Sequence, residues 1–275
     1  MSYYKSLGSL SSRIESLMAD SPANQGYPLS SITPAVSEAA PIIRQAAIGA
    51  TLGIHELRSR PRSVIDQELL PCCVSSALSS AMETIDPKTP TLSPLFHYYV
   101  TRYDNGGADS DGFLYLDDGL SALTNEGISR RDLHSPPFTT GGAATRPSAE
   151  AYADALTRAL GRRGMRLRYS PLGGPSKVAA IREELRQDHP VVLGIQLPMG
   201  YPNSFLNSRF EWIDPDNPPL SSAGHCVLSL GYNDGRTCIH IQDSHGDAAF
   251  DQGFWWMGYR VVDSSVVQDA YSLIP

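Results

Sequence analysis

The stretch "IDQELLPCCVSSALSSAMET", from Ile65 to Thr84, places two of the chain's four cysteines side by side, Cys72 and Cys73. Val74, Ala77, Leu78, Ala81 and Met82 follow at the spacing of one helix face. Pro71 stands just ahead, where proline favours a helix start. The pair therefore opens a helix, and four chemistries can use it: a metal site, a disulfide, apolar packing or a thiol nucleophile. A disulfide between neighbours closes a strained ring. A zinc site from Cys72, Cys73, His225 and Cys226 asks adjacent ligands to meet tetrahedral geometry, and strand alternation sends His225 and Cys226 to opposite faces, so no metal is expected. Free N–H groups at a helix start favour a thiolate, which suits Cys73 as a nucleophile. Gln67 lies six residues upstream in the entering loop. Its side-chain amide and the Cys73 backbone N–H can converge on one point, which is the requirement for an oxyanion hole.

A nucleophile needs a base. His225 opens the run "HCVLSLGY", which alternates like a strand, with Cys226, Leu228, Leu230 and Tyr232 on the face opposite to it. "NDGR" then signals a hairpin into "TCIHIQD". With a three-residue loop at Asn233, Asp234 and Gly235, Tyr232 faces Arg236 and His225 faces Asp243. A carboxylate beside an imidazole fixes its tautomer and stabilises the imidazolium.

The rest of the chain sets the frame. Its 275 residues, 41% hydrophobic and 19% charged, suit one large domain or two lobes. A formal net charge of −7 argues against nucleic acid as the main partner. No apolar run approaches the ~20 residues that span a bilayer. The start lacks the apolar core of a Sec signal, and four cysteines are too few for a disulfide scaffold, so a reducing, cytoplasm-like compartment is expected. The Ser-rich N-terminus also fits delivery by a non-Sec secretion system. Residues 1–54 read as an extension rich in Ser, Pro and Ala, with short helices in "SLSSRIESLMA" and "SEAAPIIRQAA". Helices are expected in "SPLFHYYVTRY", capped by Ser93 with Pro94 first, in "LDDGLSALTNEGI", in "PSAEAYADALTRALGRRG" and in "GPSKVAAIREELRQDH". Strands are expected in "PVVLGIQL", in the two hairpin runs and throughout "GFWWMGYRVV". Helices thus precede strands, which predicts an α+β chain with a helical lobe over 55–165 and an antiparallel β lobe over 166–275.

At this point three motifs meet a known family. "DQELLPCCVSSALSSAME" resembles the active-site segment of papain-like cysteine peptidases, with bacterial members in mind. "GHCVLSLGYND" is similar to their Gly-His-Ala-Val-Leu-Val-Gly-Tyr strand, and "IQDSHGDAAFDQGFWWMGY" to their Asn-Ser-Trp-Gly segment and the strand after it. "LSPLFHYY" and "LDDGLSALTNEGI" match intervening segments. The resemblance covers about residues 55–262, in the family's order. It implies a two-lobe fold with a cleft between the lobes. Cys73 would be the nucleophile, His225 the base, Asp243 the third member, Gln67 the oxyanion donor and Cys72 a space-filler. Asp117, Asp118, Gly119 and Gly224 would lie at the substrate, and the acidic loop with Asp109 and Asp111 would be a solvated loop or a preference for basic substrates. No cofactor is implied. The partner would be a protein or peptide.

The departures are specific. Asp243 replaces the usual Asn, His245 the Trp that shields the His–Asn bond, Val74 the residue after the nucleophile, and Glu68 a Gly beside the glutamine. Leu70 stands where the family has a disulfide cysteine. An Asn at 243 would be expected to retain part of the activity by keeping its bond to the Nδ1–H of His225. The expected function is a cysteine peptidase working through a thioester. The alternatives are acyl transfer or amide hydrolysis on a non-protein substrate, and a silent binding pseudopeptidase.

Overall fold

A computed structural model describes residues 53–60, 63–107, 112–163, 166–169 and 176–274. The helices expected before residue 50, most of the N-terminal extension, and Asp109 and Asp111 lie outside these residues. The described chain begins with strand β1 (Ile54–Glu56), then helices α1 (Cys73–Ile85), α2 (Pro94–Asp104), α3 (Leu116–Asn125), α4 (Thr140–Ala143), α5 (Ala149–Leu156) and α6 (Leu160–Arg163). Strand β2 (Arg166–Tyr169), helix α7 (Lys177–Arg186), strands β3 (Val191–Pro198), β4 (Glu211–Trp212), β5 (Leu220–Asn233), β6 (Cys238–Gln242) and β7 (Phe254–Gly258), helix α8 (Tyr259–Val262) and strand β8 (Val267–Ile274) follow.

Among the described residues, eight strands form one open sheet in the order β2-β8-β3-β5-β6-β7-β4, with β1 also pairing to β5. The sheet is mixed: β4 runs parallel to β7, where the sequence reading has antiparallel pairing throughout. β5 is central and is the strand against which α1 packs most closely.

Helix α1 is buried on every side from Cys73 to Thr84, although only one of its faces is apolar. Its polar face is made of small hydroxyls that find partners indoors. Ser75 Oγ is 2.9 Å from His97 Nδ1, Ser79 Oγ donates to the Ser75 carbonyl, and Thr84 Oγ1 donates to the Ser80 carbonyl. Buried hydroxyls are tolerated when they are bonded, so a serine-rich helix can serve as a central one. Helix α2 starts as its sequence predicts: Ser93 Oγ accepts the Phe96 N–H and Pro94 follows the cap.

Two expected elements are shorter than their patterns. The helix expected across "PSAEAYADALTRALGRRG" breaks between α5 and α6, where Thr157 Oγ1 and an Arg158 guanidinium N–H both donate to the Asp154 carbonyl. Gly127 presses on this break with φ +75, and any side chain there would collide with the Ala155 carbonyl. The run "GFWWMGYRVV" stops being a strand at Gly258, which caps α8 and lies close against Trp212 and Ile213 of the neighbouring strand and its end.

The hairpin register also differs. Asn233 pairs with Cys238, so the loop is Asp234–Thr237, closed by Thr237 N–H donating to the Asp234 carbonyl, with Thr237 at φ 53. A bulge between Ser229 and Gly231 shifts the ladder again, and it ends at Leu228 opposite Gln242. Asp243 is thus beyond the ladder and not opposite His225. A bulge cannot be read from alternation, because the extra residue here, Leu230, is as apolar as its neighbours.

Candidate active site

Cys73 is the first residue of α1. Cys72 occupies the cap position with no side-chain cap bond, and the first turn holds no acidic residue. The N–H groups of that turn are therefore not answered by a carboxylate of the turn itself, and the positive end of the helix dipole lies at Cys73. Cys72 is wholly buried with its sulfur 3.9 Å from Ser76 Oγ, and burial, with Cys73 beside it, pushes its thiol far up.

His225 and Asp243 meet despite the altered register. His225 Nε2 lies 2.9 Å from Asp243 Oδ1. The ring nitrogen used is Nε2 rather than Nδ1, so Nδ1 is the nitrogen left over, and Cys73 lies near enough to act on the charge of the same ring. Burial disfavours a charged ring here, but the Asp243 charge and bond, joined by Cys73, outweigh it and raise His225 to about 10. Burial works against the Asp243 charge too. The charges and bonds of His225 and His245 overcome it and hold the carboxyl well below the usual carboxylate range.

Asp243 leaves the end of β6 and enters a loop that is tied to the loop ahead of Cys73. Gln67 N–H donates to the Ser244 carbonyl at 2.9 Å, and Gly246 N–H donates to the Ile65 carbonyl at 3.0 Å. Ser244 Oγ donates to Gln67 Oε1 at 2.5 Å, and Gln67 Nε2 donates to the Leu70 carbonyl at 2.8 Å. The Gln67 side chain is thereby fixed at both ends, with one Nε2 hydrogen still to give. Glu68 stands at φ 51, the left-handed region that suits the glycine of the resembled family, and its N–H donates to Asp66 Oδ1.

Two residues of this site, Tyr201 and Trp255, escape sequence reasoning. Tyr201 OH lies 2.9 Å from each Asp243 oxygen and 3.1 Å from His245 Nδ1. Burial and the Asp243 charge push its phenol far above the ordinary value, so it stays a donor. His245 Nδ1 lies 2.8 Å from Asp243 Oδ1, and Trp255 Nε1–H donates to Oδ2 at 2.8 Å. His245 appears in the sequence only as a departure from a Trp. Tyr201 sits in "PMGYPNSF", which carries no motif, and Trp255 looks like any core residue of its strand. Among the described residues, His225, Asp243 and His245 are the group of three that could hold a metal ion. Their 2.8–2.9 Å contacts are proton-sharing distances. Two donors bound at ~2.0 Å to one tetrahedral zinc would stand roughly 3.3 Å apart.

The four residues expected at the substrate are placed unequally. Asp117 Oδ1 accepts the Tyr271 hydroxyl of β8 at 2.9 Å. Gly119 is packed under α1, where an added Cβ would stand 2.5 Å from Val74, and its carbonyl lies 2.9 Å from His97 Nε2. Asp118 is half-buried, with burial and Asp117 raising its carboxyl. Gly224 pairs with Gln196 and precedes His225 on β5.

No protein-family model matches the chain. Xylellain, a cysteine protease from Xylella fastidiosa, superposes with a TM-score of 0.71 at 22% identity, over 92% of this chain and 96% of xylellain. The fold is papain-like. Digestive procathepsin L 3 of Tenebrio molitor is a further papain-like neighbour, with a TM-score of 0.60 and 16% identity over 84% of this chain and 72% of its own. An uncharacterized peptidase C1-like protein of Acanthamoeba polyphaga mimivirus is 22% identical over 234 residues, 79% of this chain and 73% of the relative. The α+β, two-lobe architecture expected from the three motifs is that of these papain-like structures.

Proposed function

We propose that the chain is a cysteine peptidase whose nucleophile is Cys73, whose general base and acid is His225, and whose third member is Asp243. The observation that supports this reading is the 2.9 Å contact that holds His225 Nε2 on Asp243 and leaves the other ring nitrogen over, with Cys73 acting on the same ring. In the proposed cycle the Cys73 thiolate attacks the peptide carbonyl carbon. The developing oxyanion takes the Cys73 backbone N–H and the remaining Nε2 hydrogen of Gln67. His225 then gives its Nδ1 proton to the leaving amine. A thioester remains, and a water deprotonated by His225 hydrolyses it to free acid and thiol.

The test is labelling by a peptidyl epoxide, with mass spectrometry to locate the adduct, followed by digestion of a peptide library. One adduct on Cys73, absent in Cys73→Ala, and new peptide termini are the expected results. An adduct on Cys72, or a library left intact by a protein that takes the label, overturns the reading. Gln67→Ala should lower kcat by roughly 10²–10³, the cost of one oxyanion donor. An unchanged kcat would remove Gln67 from the mechanism.

A further inference from the structure

Each oxygen of Asp243 carries a donor of fixed role. Every group that touches them is a donor, and one donor on each oxygen cannot change its role. On Oδ1 that group is the Ser244 backbone N–H, at 2.8 Å. On Oδ2 it is the Trp255 indole N–H, also at 2.8 Å. Imidazoles and hydroxyls can turn from donor to acceptor, whereas a backbone N–H and an indole N–H cannot. His225, His245 and Tyr201 therefore adapt, and Ser244 and Trp255 do not.

Neither fixed donor has room to move away. Ser244 is bonded to Gln67 through its carbonyl and its hydroxyl. Trp255 is fully buried, its backbone is paired with Ile241, and its ring lies edge-on to Phe205 at 5.3 Å. Asp243 itself is only 3% exposed, so solvent cannot separate a mismatched pair. An asparagine side chain has one acceptor and one NH₂. Whichever way it flips, the NH₂ meets a fixed donor.

We propose that position 243 is read as a carboxylate by this donor-only cage, in which Trp255 is the discriminating positioning residue, Tyr201 and His245 are its adaptable members, and an amide of nearly the same shape is excluded. This deepens the peptidase reading and rests on it for its consequence. It replaces the expectation that Asn would be an acceptable third member. Here the Asp is specified by its surroundings and is not interchangeable with the Asn of the resembled family.

The experiment compares wild type, Asp243→Asn, Trp255→Phe and the double variant D243N/W255F. Phe removes the fixed N–H from Oδ2 and keeps most of the ring, so the amide NH₂ gains a place beside Tyr201, whose hydroxyl can turn to accept. The first readout is the rate of Cys73 alkylation by the epoxide. D243N should fall by about 100-fold, the scale of one buried unsatisfied donor, and W255F by less than about tenfold. The double variant should be at least about tenfold faster than D243N. A double variant no faster than D243N, or a D243N close to wild type, overturns the proposal.

The second readout needs no activity and no folded variant of Asp243. In ¹⁵N-labelled wild-type protein the Trp255 indole N–H, identified by its loss in W255F, should resonate downfield and resist solvent exchange. An indole N–H exchanging like a free one overturns the cage. Where D243N folds, either this resonance or the Ser244 amide should shift, and two unmoved resonances count against the proposal. A wild-type protein inert to the epoxide but protected at Trp255 would sink the peptidase reading and leave the cage standing.

Discussion

Two histidines of this protein are equally shut away from solvent and differ in nearly everything else. His97 lies among the helices, with Nδ1 2.9 Å from Ser75 Oγ and Nε2 2.9 Å from the Gly119 carbonyl. The carbonyl can only accept, so Nε2 carries the proton, and Ser75 donates to Nδ1. Both nitrogens are satisfied in the neutral ring. Burial is the dominant influence and lowers His97 to about 4, with the Gly119 carbonyl only partly opposing it. His225, on the sheet, meets the same burial, but its partner is charged, and the outcome is about 10. Burial thus sets the cost of charging a ring, and the charge of the partner decides whether it is met. The first histidine is held as a neutral ring and the second as a charged one.

The comparison can be broken most forcefully at the carboxylate. Asp243→Ala should convert His225 into a ring of the His97 kind. The expected loss in kcat/KM is roughly 10³–10⁴, the scale seen when the third member of a triad is removed. The alkaline limb of Cys73 alkylation should fall from near pH 10 to below neutrality. If the limb stays high in the variant, another group charges His225. The stability linkage has a definite sign. Because the folded-state value is raised, the contribution of His225 is complete below its ordinary value near 6.5 and is lost as pH rises through about 10. Urea unfolding of wild type and D243A should therefore converge toward high pH.

The reverse conversion is the next test. Ser75→Asp would set a carboxylate beside His97 in place of a hydroxyl. The ring should then titrate at least about 2 pH values higher than in wild type, read by proton NMR of the imidazole. A His97 still neutral at pH 5.5 in that variant would mean that burial outranks partner charge at this position.

The smallest effect concerns acid stability. The folded-state value of His97 is depressed, so the unfolded chain takes a proton first as pH falls, and stability is lost between about 6.5 and 4. His97→Gln removes that titration. Its urea midpoint should drop less than that of wild type between pH 7 and pH 4.5, by on the order of 2 kcal/mol in unfolding free energy. Parallel losses in the two proteins would assign the acid sensitivity elsewhere.

The same contrast explains what the sequence made legible. Helix α1 announces itself through apolar spacing and Pro71, and α2 through Ser93 and Pro94, because caps and periodicity are local. His225 and Asp243 could be matched to a family motif, yet the register drawn between them was off, since the bulge after Ser229 and the four-residue loop leave no trace in composition. Short strands such as β1 and β4 take their existence from their partners. Strand β8 runs unbroken through the buried Asp269, whose burial beside Ala270 spoils the alternation. Tyr201 was invisible for the strongest reason of all. Its role depends on where a Pro- and Gly-rich loop returns to Asp243, 42 residues further on.

The stitching of residues 65–67 to 244–246 has one more consequence, for how the protein fluctuates. Loops usually open one at a time, each with its own small free energy. Here the segment before Cys73 and the segment after Asp243 share backbone bonds, so the opening of either exposes the amides of both. Gln67 and Gly246 should exchange their hydrogens as one cooperative unit, at one rate, although 179 positions separate them. A molecule with the Gln67 side assembled and the Asp243 side undone would then be a scarce species. Anything that grips one loop would quiet the other.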